Sequence, residues 1–147
     1  MSNDGCIRLQ VSRRYQATAE QIFHAWLDPT HAGQWLFATP TGQMVRVEID
    51  PRVGGSFVIV DRRPDGDAEH YGHYLELDRP SRLVFTFSVD KHSRDGDRVT
   101  VEILPQGGDC ELTLTHEMDA KWADWVDQTL QGWKDILEGL ARTLENR

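Results

Sequence analysis

Histidine and serine side chains are the first candidates for chemistry in this sequence. His70 and His73 form an HxxH pair within a segment of strand character. Residues three apart on a strand point to opposite faces, so the two imidazoles are not expected to share a metal ion, and we predict both at the surface near a hairpin. Ser56 follows two glycines, but no nearby residue offers it a base. With no P-loop, GxSxG, HExxH or CxxC motif, the sequence predicts no metal site, no cofactor and no catalytic residue.

His116 is the histidine whose surroundings point to a pocket. A period of two places it with Leu112 and Leu114 on a strand face that we expect to be buried. Two interpretations stay open. The imidazole is either a hydrogen-bonded group at the edge of the core, or a polar group at a pocket mouth that orients a ligand or moves a proton near neutral pH.

Aromatic side chains give the second signal. Phe85 and Phe87 share one strand face, and further rings come from neighbouring strands and from the C-terminal segment. Such rings fill the core in many proteins, so a packed interior and a ligand cavity both stay open. A sheet curled around a helix is hard to pack fully, and an apolar cavity with a few polar groups is typical of ligand sites. The predicted ligand-binding residues are Trp35, Phe57, Tyr74, Phe85, Phe87, His116, Trp125 and Trp133.

Composition limits the partners of the chain. Its 147 residues carry a formal net charge of −8, which argues against nucleic acid or anionic membrane because phosphate binding needs a basic face. No apolar run approaches the ~18–20 residues of a membrane helix, and the N-terminus lacks the pattern of a signal peptide. We therefore expect one cytoplasmic domain over residues 1–147, without membrane insertion, in which Cys6 and Cys110 are free thiols.

Local patterns predict the elements of the first half of the chain. Ile7–Tyr15 alternates between apolar and polar residues, as a half-buried strand does. A capping box at Thr18 opens a helix that Asp28-Pro29 ends, and a second short helix is expected around Thr30–Trp35.

From residue 43 the period changes to two, and Asp-Gly, Gly-Gly and proline turns divide the chain into about six antiparallel strands. In the first of these strands, Val45, Val47 and Ile49 are expected to share a face. The strand Ser56–Val60 is apolar on both faces, so its inner side stays open.

The last segment returns to helical spacing from Trp122 to Leu144. Gly132 and Gly139 lie seven apart on one face of this helix, although a glycine inside a helix costs about 0.8–1 kcal/mol relative to alanine. We expect them to let the helix approach the sheet closely. The element order predicts an α+β fold, β-α-α-β6-α, in which a curved antiparallel sheet of about seven strands wraps around the long C-terminal helix.

Several stretches along almost the whole chain resemble the helix-grip superfamily of START domains, polyketide cyclases and birch-pollen-allergen-like proteins. The closer resemblance is to the branch named after the activator of heat-shock-protein-ninety ATPase. It rests on Arg13–Pro29 with Trp35, Ile49–Phe57, Tyr71–Ser88, Arg98–Glu117 and Gly132–Leu140. It implies that the first and last strands are antiparallel neighbours. Cys6 and Cys110 would then start at opposite ends, which disfavours a disulfide.

The resemblance also implies a hydrophobic ligand, such as a lipid, held between the sheet and the final helix. We therefore expect non-catalytic binding of a hydrophobic or aromatic small molecule, with a stress-related role. Two alternatives stay open. One is a cyclase- or aromatase-type enzyme with His116 and Tyr74 as its acid and base, and the other is a co-chaperone that stimulates a heat-shock ATPase. A chaperone or a second copy of the chain would then be the protein partner.

Overall fold

The computed structural model describes residues 6–38, 42–88 and 97–145. Its order of elements confirms the predicted succession of one strand, two helices, six strands and a final helix. The elements are β1 (Cys6–Tyr15), α1 (Ala19–Leu27), α2 (Pro29–Trp35), β2 (Gln43–Ile49), β3 (Ser56–Arg63), β4 (Gly66–Asp78), β5 (Arg82–Phe87), β6 (Asp97–Gln106), β7 (Asp109–Asp119), a 3-10 segment (Ala120–Trp125) and α3 (Val126–Glu145).

The seven strands form one antiparallel sheet in the order β1-β7-β6-β5-β4-β3-β2. The first and last strands are neighbours, as predicted. Cys6 lies opposite Asp119 and Tyr15 lies opposite Cys110, so the two cysteines are at opposite ends of the strand pair. Cys110 is a buried free thiol.

A single residue separates the first two helices. Thr18 and Gln21 form the predicted capping box at the start of α1, with hydrogen bonds of 2.9 and 3.1 Å. Asp28 ends α1 by donating its N–H to the carbonyl of His24 and begins α2 by accepting the N–H of His31 at 3.1 Å. Pro29 occupies the first turn of α2, where its fixed φ suits a helix start. The chain therefore turns sharply at Asp28.

The C-terminal helix lies on the inner face of the curved sheet. Its buried residues belong to the same core cluster as the inward side chains of β6 and β7. The hydroxyl of Tyr15 on β1 also donates to the carbonyl of Leu137 at 2.8 Å. Burying one leucine side chain stabilises the folded protein by about 1.5–3 kcal/mol, so the apolar packing of its buried side chains holds α3 against the sheet. No helix in the described residues is long and apolar enough to cross a membrane.

Two local predictions are wrong for identifiable reasons. A β-bulge between Met44 and Arg46 shifts the register of β2 against β3. Met44 therefore packs against the core while Val45 is 40% exposed, instead of sharing the inner face with Val47. The predicted helix from Trp122 begins as a 3-10 segment, and regular α-helix starts only at Val126.

Candidate ligand-binding pocket

A cavity of about 310 Å³ lies between α3 and one end of the sheet. This volume falls at the lower end of the range of roughly 300–1,000 Å³ that is typical for small-molecule sites. Its walls come from the segment after α2, from four strands and from α3. The lining residues are Phe37, Ala38, Arg63, His70, Phe87, His116, Thr129, Gly132, Trp133, Asp135 and Ile136.

Three nearly parallel rings form one wall of the cavity. The imidazole of His70 stacks on Phe37 with 4.2 Å between centroids and 3° between planes. Phe87 lies beside this pair, 5.1 Å from Phe37 at an interplanar angle of 15° and 5.9 Å from His70. Trp133 closes over them from α3, with its ring tilted and 5.8 Å from Phe37. The cavity is therefore lined by aromatic rings from both the sheet and the helix.

His70 is a buried member of this wall, with 7% of its surface exposed. Its Nδ1 donates to the carbonyl of Ile59 at 3.1 Å, because a carbonyl oxygen can only accept. Burial lowers the pKa of His70 from 6.5 to about 4, so the ring is neutral at physiological pH. The prediction of a surface position is wrong for His70 and right for the exposed His73. The two histidines do point to opposite faces, and the inner face takes His70.

His116 takes part in a chain of three polar side chains, of which His116 and Trp133 are buried and Asp97 is partly exposed. The indole N–H of Trp133 donates to its Nδ1 at 2.8 Å, and its Nε2 lies 2.9 Å from a carboxylate oxygen of Asp97. The indole N–H can only donate, so Nδ1 carries no hydrogen and the ring donates from Nε2 to the carboxylate. Both nitrogens are engaged, which fixes the tautomer and the orientation of the imidazole. His116 is thus a hydrogen-bonded core residue that also lines the cavity.

Arg63 supplies the charged part of the wall. Its Nε donates to the carboxylate of Asp61 at 2.9 Å, and the Asp61 side chain is only 1% exposed. A second nitrogen of Arg63 donates to the carbonyl of Phe37 at 3.4 Å. Phe37 has a φ of 61°, a left-handed conformation that is costly for a residue with a side chain. Arg63 is therefore hydrogen-bonded to Phe37, a residue that lines the cavity and has an unusual backbone conformation.

A model of the family described as Activator of Hsp90 ATPase homolog 1-like protein matches residues 16–145. The chain belongs to this family. The predicted branch is thus confirmed, and the match spans every element of the fold except β1. Among curated protein sequences, none matches the chain.

Solved structures with the same fold match this family member over nearly its full length. A protein from Rhodobacter sphaeroides is 24% identical with a TM-score of 0.82, covering 95% of this chain and 92% of its own. A Staphylococcus aureus protein of unknown function is 17% identical with a TM-score of 0.85, covering 96% and 94%. An AHSA1-like protein from Aeromonas hydrophila is 25% identical with a TM-score of 0.77, covering 94% and 93%. These likenesses confirm the helix-grip fold.

The structure brings three of the eight predicted site residues to the cavity, namely Phe87, His116 and Trp133. Another three lie beside it in the solid core, where the ring of Phe57 is 5.6 Å from Phe85 and 5.7 Å from Tyr74. Burial raises the pKa of the Tyr74 phenol above its ordinary value of 10. These rings support the wall of the cavity rather than lining it.

The other two predicted residues lie elsewhere. Trp35 is 1% exposed, packs edge-on against Trp26 at 4.7 Å and donates its indole N–H to the carbonyl of Ala25. Trp125 was expected to face the sheet together with Trp133, but it is 52% exposed. The reason is the 3-10 segment, because the α-helical spacing that would align the two tryptophans starts only after Trp125.

The two glycines of α3 do not have the predicted role of letting the helix lie close to the sheet. A Cβ atom at Gly139 would lie 3.4 Å from the Cβ of Trp35, so this glycine accommodates α2. A Cβ atom at Gly132 would meet no atom within 4 Å, and Gly132 lines the cavity. The missing side chain at Gly132 therefore keeps the cavity open.

Proposed function

We propose that this protein binds a hydrophobic or aromatic small molecule in the cavity between the sheet and α3, without catalysing a reaction. The observation that carries the proposal is the cavity itself, whose stacked rings and few polar groups match the general make-up of small-molecule sites. The family assignment supports it, because the fold leaves a cavity between sheet and helix.

The shape of the walls favours a planar apolar ligand. Phe37, His70 and Phe87 line the cavity with nearly parallel rings, and contact of a further aromatic ring with such a group is worth about 0.5–1.5 kcal/mol per ring pair beyond the area buried. Arg63 and Asp135 add charged groups to the lining, and Thr129 adds a hydroxyl. A flat molecule with one or two polar substituents would satisfy both parts of the surface.

The imidazoles that line the cavity are already hydrogen-bonded within the protein, which favours ligand binding over catalysis. General acid–base chemistry needs a group within hydrogen-bond reach of the substrate that is able to exchange a proton. Both nitrogens of His116 are occupied by Asp97 and Trp133, and Nδ1 of His70 is occupied by Ile59. Tyr74 does not line the cavity. The cyclase-type alternative therefore lacks its two expected groups in a reactive position.

The indole signals of the protein offer a direct test. A library of fatty acids, sterols, flavonoids and aromatic polyketides is screened by thermal shift, and hits are titrated into ¹⁵N-labelled protein. A ligand in the cavity is expected to shift the indole N–H resonance of Trp133, which lines it, while leaving that of the exposed Trp125 unchanged. A library without a single hit, or hits that shift only the Trp125 signal, would contradict the proposal.

A further inference from the structure

Two imidazoles and a carboxylate converge where α1 meets α2. One oxygen of Asp28 lies 3.9 Å from Nε2 of His24, and the other lies 2.7 Å from Nδ1 of His31. The two imidazole centroids are 5.0 Å apart. All three potential ligand atoms lie within 4.8 Å of one another, and none of the three residues lines the cavity. This group, here called the corner cluster, is separate from the site described above.

The turn at Asp28 creates the corner cluster. His24 belongs to the last turn of α1 and His31 to the first turn of α2. In one continuous helix, residues seven apart would be separated by about 10 Å along the axis. Because Asp28 ends one helix and caps the next, the chain bends and brings the two imidazoles to the same carboxylate. The fold therefore supplies a juxtaposition that helical spacing alone does not.

We propose that the corner cluster binds a divalent transition-metal ion, with zinc as the best match. Imidazole nitrogen and carboxylate oxygen are standard zinc ligands at about 2.0–2.1 Å. A tetrahedral ion with such bonds separates its ligand atoms by about 3.3–3.4 Å. The observed separations of 2.7 and 3.9 Å, to different oxygens of Asp28, lie on either side of this value, and no ligand atom is more than 4.8 Å from another. We expect side-chain rotation to close the remaining difference.

The donor set and the exposure define the class of ion. Side-chain exposures of 48% for His24, 29% for Asp28 and 38% for His31 leave water free to fill a fourth position. Calcium and magnesium prefer six or more oxygen ligands or an intact water shell, which one carboxylate does not provide. Affinity among the late transition metals is expected to follow the usual order, with copper above zinc and nickel.

Metal binding requires only that the ion replace the hydrogen on Nδ1 of His31. Nδ1 of His31 lies 2.7 Å from a carboxylate oxygen of Asp28 and donates its hydrogen to it. When the ion takes that place, Nδ1 releases this hydrogen to solvent and Nε2 takes one up, so the ring coordinates through Nδ1. The second bond of Asp28, to the backbone N–H of His31, is compatible with the ion. The bound ion would tie the end of α1 to the start of α2.

Isothermal titration of ZnCl₂ into the full chain tests the site. The protein carries no histidine tag, is stripped with chelator and has Cys6 replaced by serine, so that neither tag nor thiolate competes. We expect one zinc ion per chain and a raised melting temperature in zinc but not in magnesium. Loss of one of three ligands should weaken zinc binding at least tenfold, in line with the 10–100-fold effects of outer-shell changes.

His24→Ala is the decisive variant because His24 makes no short contact with Asp28, and its loss leaves the helix caps intact. His73→Ala removes an exposed imidazole outside the cluster and serves as the matched control. Weaker zinc binding by His24→Ala and by His31→Ala, with unchanged binding by His73→Ala, supports the site. Equal affinity of His24→Ala and the unsubstituted protein, or no saturable zinc binding at all, would overturn it.

Discussion

The indole N–H of Trp133 lies 2.8 Å from Nδ1 of His116, inside the interface between the long helix and the sheet. Asp97 at the start of β6 completes the chain on the other nitrogen of the imidazole. Two neighbouring strands and the long helix are thus joined by polar contacts at the edge of an otherwise apolar core. In such a setting every donor needs its acceptor, because a buried polar group without a partner is costly.

Replacing Trp133 by phenylalanine should therefore destabilise the protein beyond the loss of ring volume. Nδ1 of His116 would lose its donor in a position where His116 is only 1% exposed. We expect the free energy of unfolding to fall by about 1–3 kcal/mol. Urea denaturation followed by far-UV circular dichroism measures the change.

Trp125→Phe is the matched control for this experiment, since it makes the same change at a tryptophan that is 52% exposed. Its effect should stay within about 0.5 kcal/mol. If the two variants lost equal stability, the hydrogen bond between Trp133 and His116 would have no energetic role.

Regular patterns made most of the fold predictable. Alternation in Ile7–Tyr15, the capping box at Thr18 and the turn at Asp65-Gly66 each act over a few residues, and the structure confirms the elements that they predict. The predicted turn at Asp95-Gly96 lies outside the described residues. The errors arise where a local irregularity interrupts a period. The bulge beside Val45 and the 3-10 geometry before Val126 both shift side chains to another face, and neither leaves a periodic signal.

The site was less predictable because half of it comes from irregular backbone or from the curvature of the sheet. Phe37 follows α2 in a left-handed conformation, and no spacing rule points to it. His70 becomes buried only because β4 turns that face inward. The corner cluster of His24, Asp28 and His31 spans a helix break, so its spacing matches no single-helix motif. Gly132 was the available signal in the sequence, because a glycine inside a helix lowers stability and so implies a packing or functional reason.

His70 should make stability depend on pH in a defined window. Burial lowers its pKa in the folded protein to about 4, below the ordinary value of 6.5. Between these values the unfolded chain binds more protons than the folded one, so stability is full above pH 6.5 and falls as the pH drops towards 4. The whole shift corresponds to at most about 3 kcal/mol. Denaturation curves at intervals between pH 4 and 7 measure this slope.

The HxxH pair supplies its own control for the pH experiment. His70→Gln should flatten the dependence between pH 4 and 6.5, while His73→Gln, at an exposed position, should leave it unchanged. An unchanged slope in His70→Gln would show that the buried imidazole does not titrate as its burial requires.

Gly139 should tolerate one methyl group and no more. A Cβ atom there meets the Cβ of Trp35 at 3.4 Å, which is ordinary contact, so Gly139→Ala should gain about 0.5–1 kcal/mol of helix propensity. Gly139→Leu adds three further carbon atoms beside Trp35 and should cost about 1–3 kcal/mol instead. Thermal unfolding separates the two variants. A leucine variant as stable as the alanine variant would mean that α2 and α3 are not in close contact here.

A substitution at Gly132 should raise the stability of the protein and weaken ligand binding at the same time. A Cβ atom there meets no atom within 4 Å and Gly132 lines the cavity, so Gly132→Leu should gain up to about 0.8–1 kcal/mol of helix propensity and fill space that a ligand needs. We expect a higher melting temperature together with at least a tenfold loss of affinity for any ligand found in the screen, measured by isothermal titration. Lys134→Leu places the same side chain on the exposed side of α3 and should leave affinity unchanged. A ligand that binds Gly132→Leu as tightly as the unsubstituted protein must lie outside this cavity, because the leucine would occupy the space beneath α3.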